Sequence, residues 1–199
     1  MLGGSSSLNY LFYVRGDSQD FDNWERLGHK GWSYKDVLPF FLKSERQLSP
    51  LKDNQDTHSG SGNHHVRDSI YFSPLKAAYE AMAKRHGYHQ TDINDGSIEG
   101  FELPQLNIDE NGRRSDTYSA YLKDVNRDNL TIITNAQVLR IIFNKHKKAE
   151  GVQVEWFGKH YFVKATKEVI VSSGAVGSPH LLLHSGIGPK EDLQALDVG

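Results

Sequence analysis

The sequence predicts a mixed α/β fold, and three observations carry that prediction. Apolar residues recur three and four positions apart in several segments before residue 125, as they do in amphipathic helices. Strand-like segments then follow, in which Val152, Val154 and Trp156 alternate with Gln153 and Glu155 as in a half-buried strand. Finally, "EVIVSS" is continuously apolar and runs into "GAVGSP", the local pattern of a buried strand that enters a turn and a helix.

The first predicted element lies in the opening stretch "MLGGSSSLNYLFYVRG". Its serines are good helix N-caps, and Leu8, Leu11 and Phe12 follow with helical spacing before Gly16 offers a stop, so we predict a short buried helix. Glycines also let a backbone approach a bulky ligand, and the N–H groups of a helix start attract electron-rich groups. On local grounds a plain Gly-Ser turn before a helix stays equally open.

The next segments are predicted from turn and capping residues. Residues 17–33 are acidic and aromatic without sustained periodicity, so we predict a loop with an irregular turn of helix. Ser33 and Asp36 resemble a capping box for a helix toward Lys43, which Pro39 should kink or split. Residues 49–65 are rich in turn formers, so we expect a mobile loop whose two terminal histidines, His64 and His65, face solvent.

Two further helices are predicted before the strands begin. Ser73 and Pro74 mark the start of one that ends at Gly87, with an apolar face formed by Leu75, Ala78, Tyr79 and Met82. Glycine, aspartate and asparagine in residues 88–112 indicate loop structure. Aromatic and aliphatic residues at helical spacing predict the other helix from about Ser115 to Asp124.

The remaining residues predict strands and one last helix. The strands are "LTIIT", "VLRIIFN", "GVQVEW", "HYFVKAT" and "EVIVSS", with "NKHKKAE" and "FGK" as hairpin connections. After the last strand, Ser178 and Pro179 start a helix that stops at Gly186.

Composition excludes several classes of function. The chain has 199 residues, a formal net charge of −2 and a sequence pI near 6.5, so no strong field favours nucleic acid. No apolar run reaches the roughly 20 residues of a membrane helix. The chain has no cysteine, so it has neither disulfides nor thiolate chemistry. Localisation stays undecided: the sequon at Asn129 permits glycosylation if the protein is secreted.

Glycines and paired basic residues mark further candidate sites. In "GAVGSPHLLLHSGIGP", Gly174 and Gly177 can bring a turn close to a ligand, but the spacing is not G-x-G-x-x-G, so a purely structural corner stays open. His180 and His184 can share a helix face as metal ligands do, yet no third ligand is apparent and we predict no metal site. The pair Arg113–Arg114 either caps a carbonyl or orients a neighbouring loop, and we expect a plain exposed pair.

Together these segments resemble a known family. "LGGSSSLNYLFYVRG" followed by Asp22, and later "GAVGSPHLLLHSGIG", are similar to the two signatures of the glucose-methanol-choline (GMC) oxidoreductase family, in the family's order. "WSYKDVLPFFLKSE", "GRRSDTYSAYL" and "NAQVLRI" extend the resemblance over nearly the whole chain. The animal branch labelled glucose dehydrogenase is the most similar.

The resemblance implies an incomplete FAD-binding GMC oxidoreductase fold with part of an antiparallel-sheet substrate domain. Residues 1–72 and 162–199 would belong to the FAD-binding domain, and residues 73–161 mainly to the substrate domain, with an adenine-contacting strand near Val138. In the family a strand and a G-x-G-x-x-G turn precede the first signature. We therefore expect this chain to be an internal piece of a longer protein.

The resemblance also implies the cofactor-binding residues. Asn9, Tyr10, Leu11 and Phe12 would lie along the isoalloxazine ring of FAD, and Met1 and Gly3 would add backbone contacts. The backbone of Val138 would recognise adenine. Tyr10 occupies a variable position of the family, where an aromatic ring could flank the substrate.

The activity implied by the resemblance is FAD-dependent oxidation of a CH–OH group in an alcohol, sugar or polyol, with hydride transfer to flavin N5. The electron acceptor would be a quinone, a dye or oxygen. The family's catalytic histidine lies beyond the end of this chain, so none of the ten histidines is assigned that role. We expect the isolated chain to bind FAD weakly or not at all and to show no turnover. The alternative is a catalytically inactive flavin-fold protein with a binding or structural role.

Overall fold

The computed structural model describes residues 1–69, 73–97, 99–125 and 128–195. Contacts along the chain divide it into unit 1, Met1–Asn126, and unit 2, Arg127–Gly199. Each unit has its own sheet and its own buried side chains. The predicted domain boundary at residue 72 lies outside the described residues, and the three-part division of the chain stays a prediction.

Unit 1 consists of short elements joined by long irregular segments. The helices described in it are α1 (Ser18–Arg26), α2 (Tyr34–Ser44), α3 (Lys76–Arg85) and α4 (Thr117–Tyr121), with 3₁₀ turns at Gly4–Ser7 and Pro50–Asp53. The strands are β1 (Phe12–Tyr13), β2 (Glu45–Gln47), β3 (His64–Asp68) and β4 (Gln105–Leu106). They form a sheet in the order β1-β4-β3-β2, in which only β2 and β3 are parallel.

The predicted buried helix at the N-terminus is wrong. The chain forms the 3₁₀ turn Gly4–Ser7, turns again at Leu11 with φ 70°, and then enters β1, where Phe12 pairs with Leu106. Leu8 and Phe12 are exposed. The side chain of Asn9, between them, accepts a hydrogen bond from the N–H of Leu11. This local hydrogen bond competes with the backbone bonding of a helix.

The predicted loop over residues 17–33 is wrong for its first part, which is the helix α1. Asp17 caps it by accepting a hydrogen bond from the N–H of Gln19 at 2.7 Å. Phe21 is buried and its ring meets Phe41 of α2 edge to face, with centroids 5.7 Å apart. Tertiary packing of this kind supports a helix whose local pattern is weak.

The helix predicted toward Lys43 is confirmed as α2, and it is not split by Pro39. Pro39 and Lys35 are both exposed, so the carbonyl that loses its partner at the proline can be solvated. The predicted capping box is wrong: the Ser33 hydroxyl donates to the Asp36 carboxylate at 2.5 Å instead of capping the backbone.

Residues 49–65 contain buried groups that the composition did not indicate. His58 and Gly62 are buried, and a Cβ at Gly62 would lie 2.2 Å from the Ser44 carbonyl oxygen. The expectation that His64 faces solvent is wrong: it is 8% exposed, in β3, with Nε2 2.7 Å from Asn107 Oδ1. His65 is half-buried, 3.2 Å from the Glu110 carboxylate. Polar side chains can be buried where such partners exist.

The helix that begins near Ser73 is confirmed as α3, but its apolar face is not covered. Leu75, Tyr79 and Met82 are each more than half exposed, and Ala83 is the buried residue of this helix. Apolar periodicity identifies a face without showing what packs on it.

The third predicted helix, α4, is shorter than expected and has a complete capping box. The Asp116 carboxylate accepts from the Ser119 N–H at 2.7 Å, and the Ser119 hydroxyl accepts from the Asp116 N–H at 3.2 Å. The irregular structure expected for residues 88–112 is observed, interrupted by β4.

Unit 2 is an antiparallel meander with helices after it. Its elements are β5 (Ala136–Phe143), β6 (Ala149–Trp156), β7 (Lys159–Lys164), α5 (Gly174–His184) and α6 (Lys190–Ala195), and the sheet order is β5-β6-β7. Both predicted hairpin connections are confirmed. Asn144 shapes the first, because its side chain accepts from the N–H groups of His146 and Lys148. Positive φ at Phe157 and Gly158 forms the second.

Two predicted strands of unit 2 are wrong. Residues 130–134 and 168–173 form no ladder with any described strand, and Ile170 is 78% exposed. An apolar run becomes a strand only when a neighbouring strand supplies hydrogen bonds. The last helix, α5, starts at Gly174 rather than Ser178 and ends before Gly186, where φ is 77°.

Candidate functional site

The first signature forms a tight loop, which we call the signature loop and define as residues 1–11. Gly3 has φ 87°, and a Cβ there would lie 2.2 Å from the Ser7 hydroxyl. Only glycine fits this position without strain. Gly4 also has positive φ, and a Cβ there would meet nothing within 4 Å, so its backbone is open to an approaching group.

Large apolar side chains around the signature loop are exposed. The exposed fractions are 83% for Met1, 64% for Leu8, 89% for Tyr10 and 57% for Phe12. A cluster of this kind marks a surface that another apolar group covers. Met1, Tyr10 and Phe12 are among the residues predicted to contact a flavin ring.

Asn9 presents one unused hydrogen-bond donor. Its Oδ1 accepts from the Leu11 N–H at 3.1 Å and from Arg114 Nη1 at 2.9 Å. Because arginine carries only donors, the atom that faces Arg114 must be the carboxamide oxygen. The nitrogen Nδ2 therefore points elsewhere, and it forms no hydrogen bond with the described residues.

Arg114 binds the signature loop, so the expectation of a plain exposed pair is wrong for this residue. Its guanidinium donates to the carbonyl oxygens of Ser6 and Asn9 at 3.0 and 2.9 Å, besides the bond to the Asn9 side chain. The side chain is half-buried, whereas Arg113 is exposed. Of the alternatives given for the pair, capping a carbonyl is what the contacts of Arg114 show.

The segment that follows the signature loop is held by another asparagine. Asn107 Nδ2 donates to the carbonyl oxygens of Leu11 and Phe12 at 3.0 and 3.1 Å, and its N–H donates to Leu11 O at 2.7 Å. Leu11 has φ 70°, a left-handed conformation that costs about 1–2 kcal/mol for such a residue. Strain of this kind concentrates at functional sites.

An ionic cluster, which we define as Arg15, Glu45, His58 and Asp92, lies where the first signature ends. Arg15 pairs with Glu45, and His58 places Nδ1 2.8 Å from Glu45 and Nε2 2.5 Å from Asp92. Arg15, Glu45 and His58 are buried. Both ring nitrogens of His58 face carboxylate oxygens, so the doubly protonated ring satisfies both contacts.

The pKa values of Asp92, in the cluster, and of Tyr13, beside Arg15, are both shifted. Burial alone would raise the pKa of Asp92, but hydrogen bonds from His58, the Asn94 N–H and Gln105 outweigh it, so the pKa of Asp92 is lowered. Burial raises the pKa of Tyr13, against the opposing charge of Arg15. The cluster is thus closed and fully bonded, which suits a structural role more than proton transfer.

The second signature lies in unit 2, at the start of α5. Gly174 has φ 84°, and the Ser173 N–H donates to the Ser178 hydroxyl at 2.9 Å. The other end of α5 packs against β5: the Ile141 N–H donates to Ser185 Oγ at 2.8 Å, and Ile141 is buried, as is Leu181.

Val138, the residue predicted to recognise adenine, lies on β5 opposite Val154 of β6. β5 is an edge strand of its sheet, and its pairing with β6 shifts register just after Val138. An edge strand leaves half of its backbone donors and acceptors without a strand partner. Such groups can bind a ligand through the main chain.

Among the described residues, no group of three or more His, Asp or Glu side chains is arranged so that it could hold a metal ion. His180 and His184 do lie together, with ring centroids 4.4 Å apart. No helix in the described ranges is long and apolar enough to cross a membrane.

Of the seven predicted cofactor residues, six lie in unit 1: Met1, Gly3, Asn9, Tyr10, Leu11 and Phe12. Val138 lies in unit 2. Sequence reasoning missed Asn107 and the ionic cluster, and it gave Arg114 no firm role. Arg114 and Arg15 carried a signal, since Arg114 lies in the segment "GRRSDTYSAYL" and Arg15 at the end of the first signature.

Among known protein families, the model of the GMC oxidoreductase family matches residues 1–199 of this chain. The chain is 39% identical over its whole length to the glucose dehydrogenase [FAD, quinone] of Drosophila melanogaster, and covers 32% of that protein. It is 41% identical to the oxygen-dependent choline dehydrogenase of Sinorhizobium fredii, covering 100% of this chain and 35% of that protein.

Solved structures show the same fold. The pyridoxine 4-oxidase from "Mesorbium loti" superposes with a TM-score of 0.89 at 31% identity, over 98% of this chain and 38% of that one. An FAD-dependent oxidoreductase from Chaetomium thermophilum gives a TM-score of 0.87 at 31% identity, over 98% of this chain and 36% of that one. The chain thus spans about a third of the length of these relatives. It belongs to the GMC oxidoreductase family.

Proposed function

We propose that the protein containing this chain is an FAD-dependent oxidoreductase that acts on the CH–OH group of an alcohol, sugar or polyol. The observation that carries the proposal is the signature loop, where an open glycine backbone, exposed apolar side chains and the free Nδ2 of Asn9 lie together in a GMC family chain. Relatives named for glucose and for choline indicate small hydroxyl-bearing substrates.

The residues present fit the isoalloxazine end of FAD. An aromatic, partly polar ring needs apolar cover and hydrogen-bond donors at its edge. Tyr10, Leu11 and Phe12 would lie along the ring together with Asn9, and Met1 and Gly3 would add backbone contacts. Asn9 would donate from Nδ2. In unit 2, backbone groups at Val138 on the edge strand β5 would recognise the adenine end.

When bound, FAD would supply the redox chemistry by accepting a hydride from the alcohol carbon at N5. The chain's own residues would bind and orient the cofactor. Tyr10 is 89% exposed and would flank the substrate. Both ring nitrogens of His58 face carboxylates and His64 is buried, so neither ring is exposed to a substrate as a base. The histidine that takes the hydroxyl proton would come from outside this chain.

The domain assignment is part of the proposal. Residues 1–72 and 162–199 would contribute to the FAD-binding domain, and residues 73–161 mainly to the substrate domain. The electron acceptor would be a quinone, a dye or oxygen; the names of two relatives include quinone and oxygen for their own reactions.

The experiment is to purify the complete protein that contains this chain and to measure flavin per polypeptide from its absorbance. Reduction of a redox dye is then followed with glucose, choline and simple alcohols. We expect one FAD per chain and turnover with at least one CH–OH donor. Absence of flavin after reconstitution with FAD would contradict the proposal. Bound FAD without turnover would instead favour the catalytically inactive binding module.

A further inference from the structure

We infer that Arg114 is a positioning residue that fixes the direction in which Asn9 presents its amide donor. The inference rests on the proposed flavin site. It concerns a side chain that touches neither the ring nor the substrate in the proposed arrangement, and it follows from hydrogen bonds within unit 1.

The first step is the geometry of the guanidinium. Nη1 donates to Ser6 O at 3.0 Å and to Asn9 Oδ1 at 2.9 Å, while Nη2 donates to Asn9 O at 2.9 Å. One planar group therefore binds both the backbone and the side chain of Asn9. The rigid fork of arginine suits such a three-point contact, and the single ammonium of lysine does not.

The second step is the orientation of the Asn9 carboxamide. An exposed asparagine can exchange its oxygen and nitrogen by rotating the terminal amide group. Here the oxygen already accepts from Leu11 N–H at 3.1 Å, and Arg114 adds a second, charged donor to the same atom. Rotation would place Nδ2 against two donors, so the structure permits one orientation, with Nδ2 directed away from Arg114.

The third step is the anchoring of Arg114 itself. The residues after it are bound to the same loop: the Thr117 N–H donates to Ser6 Oγ at 3.0 Å, and the Thr117 hydroxyl donates to Gly3 O at 3.1 Å. The segment that contains Arg114 and Thr117 is thus bound to the signature loop at two places. It is well placed to hold the loop before any ligand arrives.

The fourth step concerns charge. The hydrogen-bond partners of the Arg114 guanidinium are neutral oxygens, while its charge also acts on the nearby Asp116 carboxylate. Its positive charge therefore polarises the Asn9 carboxamide and strengthens Nδ2 as a donor. An electron-rich acceptor at the edge of a flavin ring suits that donor.

The first experiment tests, without any cofactor, whether Arg114 holds the signature loop. Hydrogen exchange is measured on the complete protein stripped of flavin, as wild type, Arg114→Ala and the matched control Arg113→Ala. We expect Arg114→Ala to raise exchange in the peptide covering residues 1–12 by about tenfold or more. Arg113→Ala removes the same charge from an exposed side chain one residue earlier. It should leave the exchange rate of residues 1–12 within about twofold of wild type. Equal exchange in the two variants would overturn the inference.

The effect on the cofactor is tested by reconstituting the same proteins with FAD. We expect Arg114→Ala to weaken FAD binding by about tenfold or more and to shift the visible absorption bands of the flavin. Arg114→Lys should recover only part of the affinity, because one ammonium cannot replace the fork. Full recovery with lysine would mean that charge alone matters and would contradict positioning.

A second variant covers the case in which Arg114→Ala does not fold. Asn9→Asp keeps an oxygen for Leu11 and for Arg114 but removes the Nδ2 donor. We expect wild-type exchange in residues 1–12 and an altered flavin spectrum, whereas an unaltered spectrum would overturn the inference. If wild type itself binds no FAD, the proposed function fails, while the exchange experiment still decides whether Arg114 holds the loop.

Discussion

The two units are built around different interiors. Among the described residues of unit 1, the side chains with almost no exposure are mostly polar or charged: Glu45, Gln47, His58, Asn94 and Gln105, with Val66 as the apolar member. Among the described residues of unit 2, the buried side chains are Ile141, Val154 and Leu181, which are 5–8% exposed and all apolar. Unit 1 thus depends on hydrogen bonds at its centre, and unit 2 on apolar packing.

The difference bears on what each interior can specify. An apolar core tolerates small rotations, because dispersion and hydrophobic contacts have little directionality. A hydrogen-bonded core fixes directions, and it loses much when one partner is removed. Unit 1 carries the signature loop, and its polar interior begins at Arg15, two residues after β1. The signature loop is held by polar contacts of the same directional kind, from Arg114 and from the buried Asn107.

The largest effect should come from breaking the ionic cluster. Glu45→Ala leaves Arg15 and His58 buried without their shared carboxylate, which should cost about 3–5 kcal/mol of the free energy of unfolding. Hydrogen exchange of β3 would report the loss in unit 1. Arg46→Ala, the exposed neighbour on the same strand, is the control and should change stability by less than about 0.5 kcal/mol. Similar small losses of stability in Glu45→Ala and Arg46→Ala would contradict the claim that unit 1 depends on its buried polar contacts.

A cavity in unit 2 should be the next largest effect. Leu181→Ala removes a buried side chain from the face of α5 that packs on β5, and should cost about 2–5 kcal/mol, confined to unit 2. Denaturant unfolding followed by exchange of β5 peptides measures it. Val176→Ala, on the same helix but 82% exposed, serves as control and should be nearly neutral. A loss spread equally over both units would show that they share one interior.

The polar interior should also make unit 1 sensitive to acid. The pKa of Asp92 in the folded protein lies below its value in the unfolded chain, about 3.9, so its carboxylate adds stability above that pH. This stability is lost as the pH falls through the folded-state pKa. Thermal melting from pH 7 to pH 3 should show that the difference in melting temperature between wild type and Asp92→Asn becomes smaller as the pH falls. Asp56→Asn, at an exposed aspartate, should leave the profile unchanged.

The smallest effect tests a polar contact inside the apolar unit. Ser185→Ala removes the acceptor of the Ile141 N–H and the hydroxyl that donates to Leu181 O at 2.6 Å. The expected loss is about 1 kcal/mol in unit 2, since each net hydrogen bond contributes modestly. Ser185→Thr keeps the hydroxyl and should recover part of it, as denaturant titration would show. A loss above that of Leu181→Ala would mean that unit 2 is also held by polar contacts.

The sequence predicted the features that depend on neighbouring residues. The hairpin turns at Asn144 and Gly158 and the end of α5 at Gly186 follow from local turn chemistry, and all three were predicted correctly. The failed strands at residues 130–134 and 168–173 needed partners that the local pattern cannot supply. The apolar face of α3 is exposed for a similar reason, because the local pattern does not show which residues pack against it.

The candidate site was predictable only as far as its motif extends. Asn9 and its neighbours follow from the signature itself. Arg114 contacts Asn9 across 105 positions of sequence, and His64 meets Asn107 across 43. No periodicity or spacing joins residues that far apart. The buried polar pairs of unit 1 were missed for this reason, since a polar residue in a turn-rich segment is usually exposed.

The central claim is that the signature loop forms one wall of a flavin site. A crystal structure of the complete protein bound to FAD tests it most directly. The account predicts that Asn9 Nδ2 donates to the isoalloxazine ring, with Arg114 still bound to Asn9 Oδ1, and that the backbone of Val138 meets adenine. FAD bound away from both Asn9 and Val138 would contradict it.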